Sequence, residues 1–173
     1  MLKRFIPFAH AESIYSIDLA FYQKLGIKYV FADLDNTLDS YKQATPLEKA
    51  KKLKDELEKI GIELIIVSNN TGARVQKYSK ELGVRHFSSL GKPFSFKLKK
   101  IMKNASIKPE EVVMIGDQIV TDISCANGAR VKSILTEKLV KEDQPTTRFN
   151  RLFDNPLRRK LKRKNLLRDW REI

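Results

Sequence analysis

A chain of 173 residues with 42% hydrophobic content is long enough for one domain with a buried core. No apolar run reaches the roughly 20 residues that span a bilayer. The 34 Lys and Arg against 21 Asp and Glu give a formal charge of +13, a field that favours phosphate esters, nucleic acid or an acidic lipid surface. Cys125 is the single cysteine, which excludes an intrachain disulfide and suits a reducing, cytoplasmic setting. Pro7 and His10 interrupt any signal-peptide core in the opening MLKRFIPFAH.

In chain order, Ile14, Ile17, Phe21 and Leu25 come first. At ~100° per residue they fall within about 80° of arc, which predicts a helix with one buried face. KYVFAD (28–33) is the first strand. In TPLEKAKKLKDELEKIG, Thr45 is the expected N-cap, with Pro46 at the first helical position, Glu48 completing a capping box and Gly61 past the end. IELIIVS (62–68) is the second strand, GARVQKYSKELG a helix, and VRHF (84–87) a weaker strand. PFSFKLKKIMKNA is helical, EVVMIGD (111–117) a strand, VTDISCANG a short helix and RVKSIL (130–135) a strand. The strands are β-branched and nearly continuous in apolar residues, as strands covered on both faces are. Strand and helix in alternation predict an α/β fold: a Rossmann-like three-layer αβα sandwich on a mainly parallel sheet.

Residues 1–147 are expected to form the single domain, with the N-terminal helix included. Residues 148–173 are expected to be a basic extension, holding ten Lys or Arg, three acids and the run RRKLKRK. Three readings fit the extension: a solvated end, an electrostatic tether to anionic phospholipid at a membrane's inner face, or an RNA or ribosome contact. Drawn as one helix, 156–170 splits its leucines between two sides, a poor amphipathic pattern. Trp170 is then a candidate headgroup anchor.

Ligands of an open parallel sheet bind outside the carboxyl ends of its strands. The first strand ends in Asp33, with Asp35 two positions on. The second ends in Ser68, followed by Asn69 and Asn70. The third ends in GDQIVTD, which holds Asp117 and Asp122. Lys92 precedes the helix between the second and third. Two carboxylates as close as Asp33 and Asp35 repel unless a cation or proton lies between them. A divalent cation and a phosphate between these carboxylates and Asp117 would satisfy them. Phosphoryl transfer needs such positioning and charge neutralisation, and Mg²⁺ prefers hard oxygen ligands.

DLDNT (33–37), Ser68, Lys92 and GDQIVTD (116–122), in this order, resemble the haloacid dehalogenase (HAD) superfamily of phosphatases. The resemblance implies Asp33 as nucleophile and Asp35 as general acid and base. It implies Ser68 and Lys92 as phosphoryl ligands. Mg²⁺ would be held by Asp33, Asp117 and the backbone carbonyl of Asp35, with Asp122 supporting that shell. Asn36, Thr37, Asn69 and Asn70 complete the candidate substrate-binding set. Their alternative roles are loop shaping for Asn36 and Thr37, and capping of the next helix for Asn69 and Asn70.

Thirty-five positions separate Asp33 from Ser68, and 24 separate Ser68 from Lys92. A helix and a strand fill each gap, so no cap domain is expected. An open site admits a bulky or surface-bound substrate, or uses a partner subunit as lid. With SNN, KP and the later TRFNR (147–151), the chain is similar to the YqeG-type branch of the capless subfamily IIIA. Related enzymes of that branch act on phosphatidylglycerophosphate, which makes this lipid the expected substrate. A soluble sugar phosphate or nucleotide is the alternative, as is an RNA-associated protein with little catalysis. His10, His86 and Cys125 are read as structural. Of Phe94 and Phe96, two apart, one is expected to be exposed near the site mouth.

Overall fold

The computed structural model describes residues 2–140 and 145–173; for 145–151 it describes the backbone alone. The strands are β1 (Ala9–Ala11), β2 (Tyr29–Ala32), β3 (Glu63–Val67), β4 (Arg85–Phe87), β5 (Val112–Gly116) and β6 (Lys132–Thr136). The helices are α1 (Leu19–Lys24), α2 (Glu48–Lys59), α3 (Ala73–Leu82), α4 (Phe96–Asn104), α5 (Ser124–Gly128) and α6 (Pro145–Arg163). The strands form one sheet in the order β1-β6-β5-β2-β3-β4, with every neighbouring pair parallel.

Side chains alternate across the central strands, which places successive residues in opposite layers. Val30, Ala32, Leu64, Ile66, Val113 and Ile115 pack with Phe21, Leu57 and Tyr78 on one face. Phe31, Ile65, Val67, Val112 and Met114 pack with Leu98, Met102 and Cys125 on the other. Burial of each large side chain such as Phe31 or Ile65 stabilises the fold by roughly 1.5–3 kcal/mol. The result is the expected αβα sandwich. Between Asp33 and Lys92 the chain forms only α2, β3, α3, β4 and their connections.

One strand was missed and three local expectations are corrected. First, β1 escapes periodicity because three residues are too few to show one. Ala9 and Ala11 pair with Ile134 and Thr136 of β6, and both are fully buried. Second, residues 14–25 do not form one helix. A 3-10 turn at Ile14–Ser16 gives way to extended Ile17, and the Asp18 carboxylate accepts from the Ala20 N–H to start α1. Ile14, Ile17 and Phe21 are nonetheless buried.

Third, α2 is capped by Leu47 rather than Thr45. The Leu47 N–H donates to buried Asp39 Oδ2 at 3.2 Å, so a distant carboxylate starts the helix. Gly61 does follow its end, at φ 76°, where a Cβ would be strained.

Fourth, the C-terminal segment is not a solvated end. The expected boundary at 147 falls inside α6, and Leu161 is fully buried with Ile119, Ile123 and Leu135. Leu157 from the helix, Leu166 and Leu167 from the chain beyond it, and Leu2, Phe5 and Ile6 from the N-terminus all pack against this cluster. The helix ends at Arg163, so the two leucine faces are two segments meeting one cluster. Trp170 lies edge-on to Phe21 at 5.5 Å between ring centroids, which uses it in packing. TRFNR lies outside the described side chains.

Candidate active site

The chain runs outward through β2, β3 and β4, then returns to build β5 and β6 on the other side of β2. The order therefore reverses between β2 and β5, where a crevice opens at the carboxyl edge. Asp33 follows β2, Ser68 follows β3 and Asp117 follows β5, so the topology brings all three to that crevice. The Asp33 N–H donates to Ile115 O at 2.9 Å, which ties the first loop to the third strand.

Asp33, Asp117 and Asp122 are all buried, and one carboxylate oxygen from each lies within 4.8 Å of the others. Lys92, only 6% exposed, reaches into this cluster. Its Nζ donates to Asp33 Oδ1 at 2.6 Å, Asp122 Oδ1 at 2.7 Å and Val67 O at 3.1 Å. The ammonium thus spends all three protons on acceptors. Burial pushes the Asp33 carboxyl well above the ordinary range; Lys92 opposes this, while Asp122, Asp35 and Asp117 add to it. Burial pulls Lys92 down, but Asp122 and Asp33 outweigh it and hold the amine above its ordinary value.

Asp122 comes from a π-type turn, Ile119–Ile123, that leads into α5. Such turns often re-aim a side chain at a functional site. Asp122 Oδ2 also accepts from the Gln118 N–H at 3.1 Å. A Cβ on Gly116 would overlap the Asp122 carboxylate, so the glycine is required by space rather than by backbone conformation.

Asp35 has other partners. Its Oδ1 accepts from Arg74 Nη1 at 2.5 Å and its Oδ2 from Asn70 Nδ2 at 2.6 Å. Arg74 also donates to Gln43 O and Ser40 O, at 2.8 and 2.9 Å, which pins the loop over α3. Ser68 Oγ accepts from the Asn70 N–H at 3.1 Å. Asn69 clamps Lys92: its Oδ1 accepts from the Lys92 N–H at 2.7 Å and its Nδ2 donates to Lys92 O at 2.8 Å. Neither asparagine caps α3, whose N-cap is Gly72. Asn69 therefore shapes the lysine's backbone, and Asn70 orients Asp35.

Asn36 adopts φ 63°, donates its N–H to Asp39 O at 2.8 Å and accepts from the Leu139 N–H at 3.2 Å. Thr37 is buried, and its hydroxyl has no hydrogen-bond partner among the described residues. Both lie in the turn that carries Asp35. Sequence reasoning missed Asp39, although a third aspartate in the same turn was a visible signal. Fully buried, it accepts from Tyr78 Oη at 2.5 Å and from the Leu47 N–H.

Arg74 and Arg158 were also missed, and nothing local marks them. Arg158, on α6, donates through Nη2 to Asp117 O at 2.9 Å and Thr136 O at 3.1 Å, and through Nη1 to Glu137 at 2.9 Å. One turn earlier, buried Asp154 accepts from the Val120 N–H at 2.8 Å. The C-terminal helix thus braces the loop that presents Asp117. His10 Nε2 lies 2.9 Å from Glu137 Oε1, a structural pairing, and Cys125 is buried with its thiol pushed up to about 11 by that burial. Phe94 and Phe96 are both exposed.

The donor set fits a hard divalent cation. Three buried carboxylates face one ammonium, and every donor in the cluster is an oxygen. Burial first, and the neighbouring carboxylates after it, favour the protonated form of Asp33, which a cation in the cluster would oppose. Asp33, Asp117 and Asp122 are the residues that would hold Mg²⁺, which would supply positive charge against a phosphate.

The chain matches the family of haloacid dehalogenase-like hydrolases over residues 3–136. It is 31% identical to "Probable phosphatase YqeG" of Bacillus subtilis (strain 168), over 99% of this chain and 100% of that protein. A subfamily III A hydrolase from Legionella pneumophila shares the fold at a TM-score of 0.52 and 18% identity, covering 70% of this chain and 71% of that one. A 3-deoxy-D-manno-octulosonate 8-phosphate phosphatase from Moraxella catarrhalis, in complex with magnesium and phosphate, does so at 0.50 and 20% identity, covering 69% and 82%.

Proposed function

This chain belongs to the haloacid dehalogenase-like hydrolase family and is a phosphatase, and we propose that it hydrolyses phosphomonoesters through an aspartyl phosphate on Asp33. The observation that carries this reading is Lys92 bridging Asp33 and Asp122 at 2.6 and 2.7 Å inside a buried acidic triad. With Oδ1 of Asp33 held by the amine, Oδ2 attacks phosphorus. A phosphorus–oxygen bond forms there as the bond to the substrate alcohol breaks, and Asp35 protonates the leaving oxygen. Water then attacks phosphorus as the bond to Asp33 Oδ2 breaks and frees that carboxylate, Asp35 takes the proton of the water, and inorganic phosphate leaves. Arg74 and Asn70 hold the Asp35 carboxyl group in place for both steps.

The Ser68 hydroxyl donates to a phosphoryl oxygen, and Lys92, whose three protons are held by Asp33, Asp122 and Val67 O, adds positive charge beside the phosphoryl group. Asp33, Asp117 and Asp122 would hold Mg²⁺, which would supply charge that screens the nucleophile from the phosphate. Asn69 keeps Lys92 in place, and Arg158 keeps the Asp117 carbonyl in place.

The preferred substrate is phosphatidylglycerophosphate. The +13 charge and the absence of an inserted domain between Asp33 and Lys92 favour a large anionic ester over an enclosed small one. The test is phosphate release from phosphatidylglycerophosphate in mixed vesicles and from an aryl phosphate, with Mg²⁺ and with chelator. Asp33→Asn is expected to lower both by roughly 10³-fold or more. Turnover of the aryl phosphate alone would keep the chemistry and discard the lipid. Retained activity in Asp33→Asn would sink the nucleophile assignment.

A further inference from the structure

Five large hydrophobic side chains among the described residues are 40% exposed or more: Leu47, Phe94, Phe96, Leu152 and Phe153. All five lie on chain that leaves the carboxyl end of a strand. Leu47 caps α2 after β2. Phe94 and Phe96 flank the start of α4 after β4, their rings 6.4 Å apart. Leu152 and Phe153 lie in the early turns of α6 after β6, next to Asp154, which bonds Val120 just past β5. In a parallel sheet these connections share one edge, and here it is the edge that carries the site. The connections at the opposite edge expose no such side chain among the described residues.

Cations lie beside these side chains on α6. Asp154, Arg158 and Leu161 point α6 inward. Leu152, Pro156, Arg159 and Arg163, spaced by four, three and four residues, therefore share its outer stripe. Arg159, Lys160, Lys162, Arg163 and Lys164 are exposed, and no acid lies between Asp154, which is buried, and Asp169. Pro156, Arg159, Lys162 and Arg163 line a groove of about 460 Å³.

We propose that the carboxyl-edge face docks on an anionic phospholipid bilayer, with Phe94, Phe96, Leu152 and Phe153 entering the headgroup layer and the outer cations of α6 resting on lipid phosphates. Apolar side chains in two separate groups, with cations beside them, suit a fluid interface, which accepts them without a complementary surface. Trp170, packed on Phe21, is not part of this face. The orientation turns the site mouth toward the bilayer. That consequence rests on the phosphatase reading above; the docking does not.

The test is sedimentation of the full chain with vesicles of equal parts phosphatidylglycerol and phosphatidylcholine, beside vesicles of phosphatidylcholine alone, at physiological salt. Hydrolysis of a soluble aryl phosphate is followed in parallel. The chain is expected to bind the anionic vesicles. Phe94→Ser with Phe96→Ser, and separately Arg159→Glu with Arg163→Glu, are each expected to weaken binding roughly tenfold or more. Aryl phosphate turnover should stay at the wild-type rate. Lys103→Glu with Lys108→Glu, exposed at the opposite edge, is the control and should change binding far less.

Absence of binding, equal binding to neutral vesicles, an equal loss in the opposite-edge control, or unchanged binding in both carboxyl-edge variants would each overturn the proposal. Binding to RNA in place of vesicles would overturn it too. A chain that binds vesicles as described but never hydrolyses the aryl ester would refute the phosphatase mechanism and leave this surface standing.

Discussion

Replacing Lys92 by methionine isolates what the buried amine does for the fold. The side chain keeps its length and apolar stem, but three acceptors lose their donor: Asp33 Oδ1, Asp122 Oδ1 and Val67 O. Asp33 and Asp122, 6% and 1% exposed, would then face each other without the cation between them. Breaking a buried ion pair by removing one partner costs about 3–5 kcal/mol, a large share of a typical domain's ~5–15 kcal/mol. For a chain of this size that is a fall in melting temperature of roughly 6–20 °C. Urea unfolding, read as a shift in midpoint at constant slope, measures it directly.

The pH dependence supplies a second reading. Asp33 already sits above its ordinary range through burial, and Lys92 is the group holding it down. Without the amine it rises further, so the native state binds a proton that the unfolded chain does not. Stability of Lys92→Met should therefore grow as pH falls toward the unfolded carboxyl value, and fade as pH rises through the folded one. Adding Asp122→Asn in the Lys92→Met background should recover part of the loss, whereas alone it should destabilise. A Lys92→Met protein melting within a degree of wild type, with no gain on acidification, would refute the charge balance inferred for this cluster.

Gly116→Ala should destabilise by ~1–3 kcal/mol, because its methyl group overlaps Asp122; the drop in urea midpoint should come with weaker Mg²⁺-induced thermal protection. Arg158→Met should leave secondary structure intact by circular dichroism while weakening Mg²⁺ binding by calorimetry, as the Asp117 carbonyl loses its donor; unchanged Mg²⁺ affinity would make the α6 contact merely structural.

Much of this architecture was legible from local pattern. β2, β3 and β5 are apolar runs that end in Asp33, Ser68 and Asp117, and a parallel sheet obliges such ends to meet at one edge. Motif order pointed to the carboxylates and the lysine that the fold gathers there. The capping residue of α2 was misread because the Leu47 N–H is satisfied by Asp39 from eight positions away, not by the nearest hydroxyl. The C-terminal segment was misread because its leucines were placed on one helix, when a turn after Arg163 sends Leu166 and Leu167 back to the same cluster.

The sequence by itself determined the layer order, the site edge and the acidic set, since hydrophobic period and strand-end chemistry are local properties. Only the tertiary structure decided how those groups are held. Arg74 reaches Asp35 across 39 positions, Asn69 clamps Lys92 across 23, and Arg158 reaches Asp117 across 41. No periodicity encodes such pairings, because each depends on where folding brings two distant segments together. The gathering of exposed phenylalanines and leucines at the site's edge has the same origin: separate connections become one face once the strands align.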